Sequence, residues 1–299
     1  MDVLVFGAGS LGSLVGGLLA REHDVTLVGR DPHVATVRES GLRISGAVDE
    51  TVTPDAATEP PAAADLAVVT VKTFDTPAAA AALAECDLDV VLSLQNGMGN
   101  EEELATSVSA PVLAGTCTYG ARMVEPGHVE CTGVGEVVLG AREGGQSDEA
   151  DSVGVAFDAA GLDVTVATDM PRRLWEKLAV NCGINATTAL ARVENGALVD
   201  GPAGETARAA AREVAQVARD HGVDLSAMQA TTAVSGVART TAANTSSMAQ
   251  DVQAGARTEI DAINGYVVAN ATDPVPVNET LTHLVRAWEI GQDLRDDGP

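Results

Sequence analysis

The chain has 299 residues, 45% of them apolar, and carries 43 acidic against 18 basic side chains for a net charge of -25. That length suits one large domain or two modest ones, and the apolar fraction excludes wholesale disorder. So negative a chain is a poor binder of nucleic acid or anionic membrane, both of which need a positive surface.

No run approaches the ~20 apolar residues that span a bilayer. Met1-Asp2 leads straight into Val3-Leu4-Val5-Phe6 with neither a basic n-region nor a small-residue cleavage site. No signal peptide and a cytoplasmic location are therefore expected. Val3–Phe6 reads as a strand that ends in the loop Gly7-Ala8-Gly9-Ser10-Leu11-Gly12, and a helical pattern follows through Leu14, Val15, Leu18 and Leu19. Asp24–Arg30 reads as a second strand. Leu66–Lys72 and Val90–Asn96 are near-continuous apolar runs, the pattern of strands buried on both faces of a parallel sheet. Helical patterns between them argue for a βαβ architecture.

From Pro111 to Val166 the runs shorten. Val112–Thr116, His128–Thr132, Glu136–Gly140 and Leu162–Val166 are expected as further strands, the first three as antiparallel additions to the same sheet. After Met170-Pro171 the texture becomes helical and alanine-rich, with almost no strand signal. The fold class expected is α/β, with a Rossmann-type dinucleotide-binding domain over 1–168 and an all-helical domain over 169–299.

Cys86, Cys117, Cys131 and Cys182 form no CxxC pair, and the five scattered histidines form no HExxH. Reduced thiols and no metal site are expected. Among the 18 basic residues only Lys72 and Lys177 are lysines. An acidic, lysine-poor, Ala/Val-rich composition resembles that of proteins from salt-loving archaea. At ~1 M salt the Debye length is only ~3 Å, which screens the self-repulsion.

Gly7-x-Gly9-x-x-Gly12 lies between a strand and a helix, the context that a dinucleotide fingerprint requires. The first glycine permits the turn, the second lets the backbone approach a pyrophosphate, and the third lets helix and strand pack closely. The second strand ends in Gly29-Arg30, where an NAD site usually places an acidic residue for the ribose diol. An arginine suits the 2′-phosphate of NADP. The bland alternative is a surface arginine paired with Asp31.

Both lysines stand out because a lysine, unlike an arginine, can give up a proton when burial lowers its pKa. Lys72 lies at the carboxyl end of an expected strand, where open α/β sheets bind ligands, and Gln95-Asn96-Gly97-Met98-Gly99 lies at the same end of the next. Lys177, Asn181 and Asn185 are spaced i, i+4, i+8, one stripe on a helix. Apolar residues from Trp175 to Ile184 cover most of the remaining circumference, so the helix is expected to be buried. A buried lysine and two buried amides then need partners, for which a polar ligand would serve. Asn195-Gly196 can be read as a plain turn. Ser247 with Gln250 reads as a capping box at a helix start, as does Thr258 with Asp261. On an unbroken helix Ser247 and Glu259 would lie ~18 Å apart, unless Gly255 ends that helix.

These blocks resemble the 2-dehydropantoate 2-reductase (ketopantoate reductase) family, here of a halophilic archaeon. The resemblance rests on the Gly7–Gly12 loop, Val71-Lys72, Gln95–Gly99, Gly115-Thr116-Cys117-Thr118 and Trp175-x-Lys177-Leu178-Ala179-Val180-Asn181-x-x-x-Asn185. It extends to Ser246-Ser247-Met248-x-Gln250-Asp251 and to Thr258-Glu259-Ile260-Asp261-x-Ile263-Asn264-Gly265. It implies NADP(H)-dependent reduction of ketopantoate to (R)-pantoate, on the route to pantothenate and coenzyme A. It implies Lys177 as proton donor and Asn181, Asn185, Asn195 and Ser247 as substrate ligands. Asn96 would touch both substrate and cofactor. Lys72, Ala121 and Glu259 would line the cofactor side, with Glu259 close to the reaction centre. Gly7, Ala8, Gly9, Ser10, Leu11, Gly12 and Arg30 complete the cofactor set. A homodimer through the helical domain is compatible with the sequence.

Reducing a 2-keto acid requires a hydride at C2 and a proton at the developing alkoxide. A lysine ammonium can both stabilise that charge and donate the proton, while Asn and Ser orient the substrate. Two other readings stand beside this one: a related two-domain dehydrogenase acting on another 2-keto or hydroxy acid, and a catalytically silent NADP-binding sensor.

Overall fold

The structure, a computed structural model, describes residues 1–295. The chain divides into two compact units, one of residues 1–95 with 99–170, the other of residues 96–98 with 171 onward.

In the first unit the elements run β1 (Asp2–Phe6), α1 (Ser10–Leu19), β2 (Asp24–Val28), α2 (His33–Ser40), β3 (Leu42–Gly46), β4 (Glu50–Val52), β5 (Asp55–Ala57) and β6 (Ala63–Val69). They continue with α3 (Thr76–Leu83), β7 (Asp87–Ser93), α4 (Asn100–Ser107), β8 (Val112–Cys117), β9 (Gly120–Glu125), β10 (His128–Gly133), β11 (Val137–Ala141), α5 (Asp148–Ala159) and β12 (Val164–Val166). Eight strands form one sheet in the order β12-β11-β8-β7-β6-β1-β2-β5. The run from β8 to β5 is parallel throughout. Side chains alternate across this sheet: Val3, Val5, Val68 and Leu92 join the core under α1 and α5, while Leu4, Val69 and Val91 join the core under α3 and α4. Burial on both faces is why these strands read as near-unbroken apolar runs.

The observed strands end earlier than the sequence pattern implies. Phe6 pairs with Val28 and with Val69, and Val69 with Ser93. Once β1 turns away at Gly7, its neighbours lose their ladder partner. Arg30, Lys72 and Asn96 therefore follow the strands as loop residues.

The region 112–166 meets expectation at β11 and β12 and departs from it at β8 and β10. β8 continues the sheet in parallel, β11 is antiparallel to β8, and β12 is parallel to β11. The 128–132 run belongs to a second, four-stranded sheet of order β4-β3-β10-β9. β10 pairs in parallel with β3 and antiparallel with β9, and β4 pairs antiparallel with β3; the outer strands β4 and β9 carry no clean alternation and form on the ladders that β3 and β10 supply.

The second unit contains α6 (Met170–Ala191), whose first residue ends the first unit, and then α7 (Gly201–Asp220), α8 (Ala227–Thr240), α9 (Ser247–Ala254), α10 (Asn264–Asn270) and α11 (Pro276–Gly291). No strand occurs after residue 166 among the described residues. Its core is built on small side chains, among them Ala179, Ala186, Ala207, Ala210 and Ala211. A Cβ on Gly183 of α6 would stand 2.8 Å from the Ala207 carbonyl of α7, so these helix backbones pack at glycine-limited distance. Asn264 donates to the Cys182 carbonyl at 3.1 Å and to Asn278 Oδ1 at 2.9 Å. Glu213 accepts the Val277 and Asn278 amides that open α11. The four cysteines are free, and burial pushes the Cys182 thiol up, with the Glu213 charge adding to the effect. No helix among the described residues is long and apolar enough to cross a membrane.

His33 ties three parts of the first unit together. Its Nδ1 accepts the Gly127 amide at 3.0 Å, so its Nε2 carries the proton and donates to Ser13 Oγ at 2.9 Å. Burial lowers its pKa from the usual 6.5. The unfolded chain therefore binds this proton first, and the stabilising neutral ring is lost as pH falls from ~6.5 through the folded value. Thermal unfolding between pH 7 and 5.5 should show a shallower loss of Tm in His33→Gln than in the wild type. Equal slopes would show that His33 does not contribute to the acid sensitivity.

Candidate active site

In the first unit the glycine loop is fixed from both sides. The Gly7 and Ala8 amides donate to the Val28 carbonyl at 2.9 and 2.8 Å, and Thr70 Oγ1 donates to the Gly7 carbonyl at 2.9 Å. Gly7 has φ +115°, and a Cβ there would lie 2.7 Å from the Val71 amide nitrogen. A Cβ on Gly12 would collide with the Gly7 carbonyl and Thr70 Oγ1, so α1 can approach β1 and β6 only without a side chain. Gly9 differs: a Cβ there would meet nothing nearer than 3.9 Å. The open room at Gly9, beside the amides that start α1, has the form that a pyrophosphate requires.

The other nucleotide-side candidates surround this loop. Ser10 Oγ accepts the Met123 amide at 3.0 Å, which brings β9, and with it Ala121, alongside the start of α1. Leu11 packs on the core beneath. Arg30 is 87% exposed and pairs at 3.2 Å with Asp75, whereas Asp31 accepts the Ala35 amide. Lys72 follows Val71, the residue against Gly7, and precedes a 3-10 turn over Thr73–Asp75. Gln95 secures this loop from beneath, donating to the Val71 carbonyl at 3.1 Å and to Thr76 Oγ1 at 2.7 Å. Thr76 in turn donates to Asn100 Oδ1 at 2.9 Å. Thr70 and Thr76 escaped the sequence reading because each acts through a partner far along the chain or through a backbone atom; Gln95 was singled out only as part of the Gln95–Gly99 segment, without this bracing role.

In the second unit α6 carries Lys177, Asn181 and Asn185 on one line. Full burial of the line was expected, but Lys177 and Asn181 are half-buried and only Asn185 is buried, at 5% exposure. The flanking Trp175, Leu178, Ala179, Cys182 and Ile184 are buried, so the stripe is a narrow polar line on an otherwise covered helix. Asn185 Nδ2 donates to Ser247 Oγ at 3.5 Å, bringing two candidate substrate ligands together from α6 and α9.

The helix cap of α9 is Ser246, not Ser247. Ser246 Oγ accepts the Ala249 amide at 3.2 Å, while Gln250 turns to the Thr245 carbonyl. Ser246 is also held by Thr188 at 2.7 Å, and that contact fixes which serine occupies the cap. Ser247, one residue on, is exposed. α9 ends at Gly255, in the left-handed conformation at φ 63°, so no continuous helix separates Ser247 from Glu259. Thr258 does not begin a helix; its amide and hydroxyl both donate to Glu289.

Asn195 is 6% exposed and is held at the start of a 3-10 turn by its amide, which donates to the Asn244 carbonyl at 3.0 Å. Its Nδ2 donates to Thr241 Oγ1 at 2.9 Å, but its Oδ1 is buried with no hydrogen-bond partner. A buried acceptor left unpaired costs ~1–3 kcal/mol, which a ligand hydroxyl would offset. Glu259 is buried at 5% exposure. Asn96 belongs to the same unit: the Met98 amide donates to the Ala262 carbonyl at 3.1 Å, three residues beyond Glu259. Among the described residues no group of three or more His, Cys, Asp or Glu side chains could hold a metal ion.

The chain is similar in sequence and fold to known ketopantoate reductases. A family model described as ketopantoate reductase PanE/ApbA matches residues 3–144, and its C-terminal counterpart matches residues 169–289. The chain is 47% identical over 298 residues to a 2-dehydropantoate 2-reductase of Halobacterium salinarum, covering 96% of this chain and 98% of that one. A crystal structure of a PanE/ApbA family ketopantoate reductase from Ralstonia eutropha superposes with TM-score 0.89 at 35% identity, covering 98% and 100% of the two chains. D-mandelate dehydrogenase, solved with NADH and anilino(oxo)acetate, shares the fold at TM-score 0.91 and 23% identity, with 99% and 100% covered.

Gly9 and Gly12 should respond oppositely to alanine. Gly9→Ala should leave Tm nearly unchanged and weaken NADPH binding at least about tenfold by filling the phosphate room. Gly12→Ala should itself destabilise by ~1–3 kcal/mol, as overpacking does. Urea unfolding with a fluorescence titration of NADPH measures both, and equal stability loss in the two variants would contradict the assignment.

Proposed function

Since the chain belongs to the ketopantoate reductase family, we propose that it catalyses the NADPH-dependent reduction of ketopantoate to (R)-pantoate. The observation that carries the reading is the line of Lys177, Asn181 and Asn185 on a covered helix, with Ser247 attached to its end. A binding protein has no need of a lysine on such a line; a reductase of 2-keto acids needs a cation and a proton at one oxygen.

NADPH supplies the hydride. The residues of this chain supply position, field and proton. Asn181, Asn185, Ser247 and Asn195 present amide and hydroxyl groups to the carboxylate and hydroxyl of the substrate, and the unpaired Asn195 Oδ1 suits a substrate hydroxyl donor. The Lys177 ammonium hydrogen-bonds the C2 carbonyl oxygen. As negative charge develops there, the ammonium stabilises it and transfers its proton, leaving a neutral amine that regains a proton from water. Glu259 and Asn96 lie close to the reacting carbon in this reading. Gly7 to Gly12 hold the pyrophosphate, Lys72 and Ala121 line the nicotinamide side, and Arg30 reaches the 2′-phosphate with its exposed guanidinium. Asp75 is the partner Arg30 exchanges for that phosphate.

The substrate class is a small 2-keto acid. The reading carries with it a cytoplasmic location and a homodimer through the helical unit, which light scattering in concentrated KCl would test.

Lys177→Ala should lower kcat at least about 10²-fold, the scale of a lost general acid, with NADPH affinity kept within a factor of two. A kcat near the wild-type value would remove Lys177 from the mechanism. Arg30→Ala should raise the KM for NADPH at least about tenfold and that for NADH by much less. Equal changes for both would show that Arg30 does not read the 2′-phosphate.

A further inference from the structure

We infer that Glu289 is a positioning residue for the reductase site, its carboxylate fixing the turn that carries Glu259 and, through Ala262, the segment that carries Asn96. The inference rests on the function proposed above.

Glu289 lies in the last turn of α11 and is completely buried. A buried carboxylate is costly unless every lone pair is engaged, and a well-packed apolar residue of similar size commonly serves stability as well or better. Here both oxygens are engaged. Oε1 accepts the Thr258 amide and the Thr258 hydroxyl, each at 2.7 Å, and Oε2 accepts Arg295 Nε at 2.8 Å. Arg295 also pairs with Asp261, which Arg286 holds from the other side at 2.8 Å. Thr258 Oγ1 further accepts the Ile260 amide at 3.3 Å. Charged groups of α11 and the residues after it thus grip Thr258 and Asp261, one on each side of Glu259. The turn has no helix or strand ladder of its own to hold it.

The same turn sets Asn96. The Glu259 carbonyl accepts the amides of Ala262 and Ile263 at 3.1 and 3.2 Å, and the Ala262 carbonyl accepts the Met98 amide at 3.1 Å. Gly97, at φ +77°, fits against Ala262 so closely that a Cβ would stand 2.7 Å from its carbonyl oxygen. A shift of the turn therefore moves both Glu259 and Asn96, and misplacement of catalytic groups by ~1 Å can cost ~10² in rate.

Glu289→Gln tests this. The side chain keeps its size and one acceptor for Thr258 but turns a donor toward Arg295 Nε. The expected result is a protein that still folds and binds NADPH within twofold of wild type, with kcat for ketopantoate reduced about tenfold or more. Amide hydrogen exchange should quicken in residues 94–100 and 256–266 and stay unchanged through α7 and α8. Thr258→Val, which removes only the hydroxyl, should move both readouts in the same direction by less, and it serves where the Gln variant fails to fold. Wild-type kcat, unchanged exchange in the two segments, or exchange quickened throughout the helical unit would each overturn the inference. Should the wild-type protein not reduce ketopantoate at all, the functional reading fails while the exchange data still decide the role of Glu289.

Discussion

Helix α6 must satisfy two demands that oppose each other. It has to bury most of its circumference to give the second unit a core, and it has to keep a lysine and two asparagines on one line. The structure meets both with small residues. Gly183 lets α7 approach, and Trp175, Leu178, Ala179, Cys182, Ile184 and Ala186 are buried in the core around the line. The polar line is left narrow and of fixed direction, because a packed helix cannot rotate without opening voids. Asn264, which donates to the Cys182 carbonyl, and Thr188, which holds Ser246, are engaged in the same task of tying neighbouring elements to α6. The chemistry proposed for Lys177 depends on that rigidity.

The first unit solves a different problem by the same means. Its strands end on one line, set by where β1 turns at Gly7, and the residues beyond that line are freed from the ladder to serve a ligand. Close approach is enforced where a glycine is required, at Gly7 and Gly12, and room is left where one is not crowded, at Gly9. The neutral, doubly hydrogen-bonded His33 ties α1, at Ser13, to the β9–β10 turn, so the helix that opens at the glycine loop is braced near its start.

Features set by neighbours in sequence were legible, and features set by distant partners were not. The glycine loop, the parallel strands, the change of texture at Pro171 and the i, i+4, i+8 stripe all follow from local pattern. β4 and β9 were not legible, since they are strands only through the ladders of β3 and β10; β3 alternates, with Leu42 and Ile44 buried and Arg43 exposed, but only over a few residues. The capping serine was misread by one position because Thr188, 58 residues away, decides between Ser246 and Ser247. The partner of Arg30 is Asp75, not the adjacent Asp31, for the same reason. Glu289 gave no signal at all: an acidic residue in a chain with 43 of them becomes exceptional only once its complete burial is seen.

The central claim is that this site reduces ketopantoate in preference to other 2-keto acids. It is tested most directly by following NADPH oxidation at 340 nm in concentrated KCl, where the Debye length falls to a few Å and the charge of -25 is screened. The measurement is kcat/KM across a panel of 2-keto acids that includes ketopantoate. The account requires ketopantoate to exceed every other acid. A higher value for a different acid would keep the fold and the Lys177 chemistry but overturn the substrate. A folded protein that binds NADPH and reduces none of them would contradict the account.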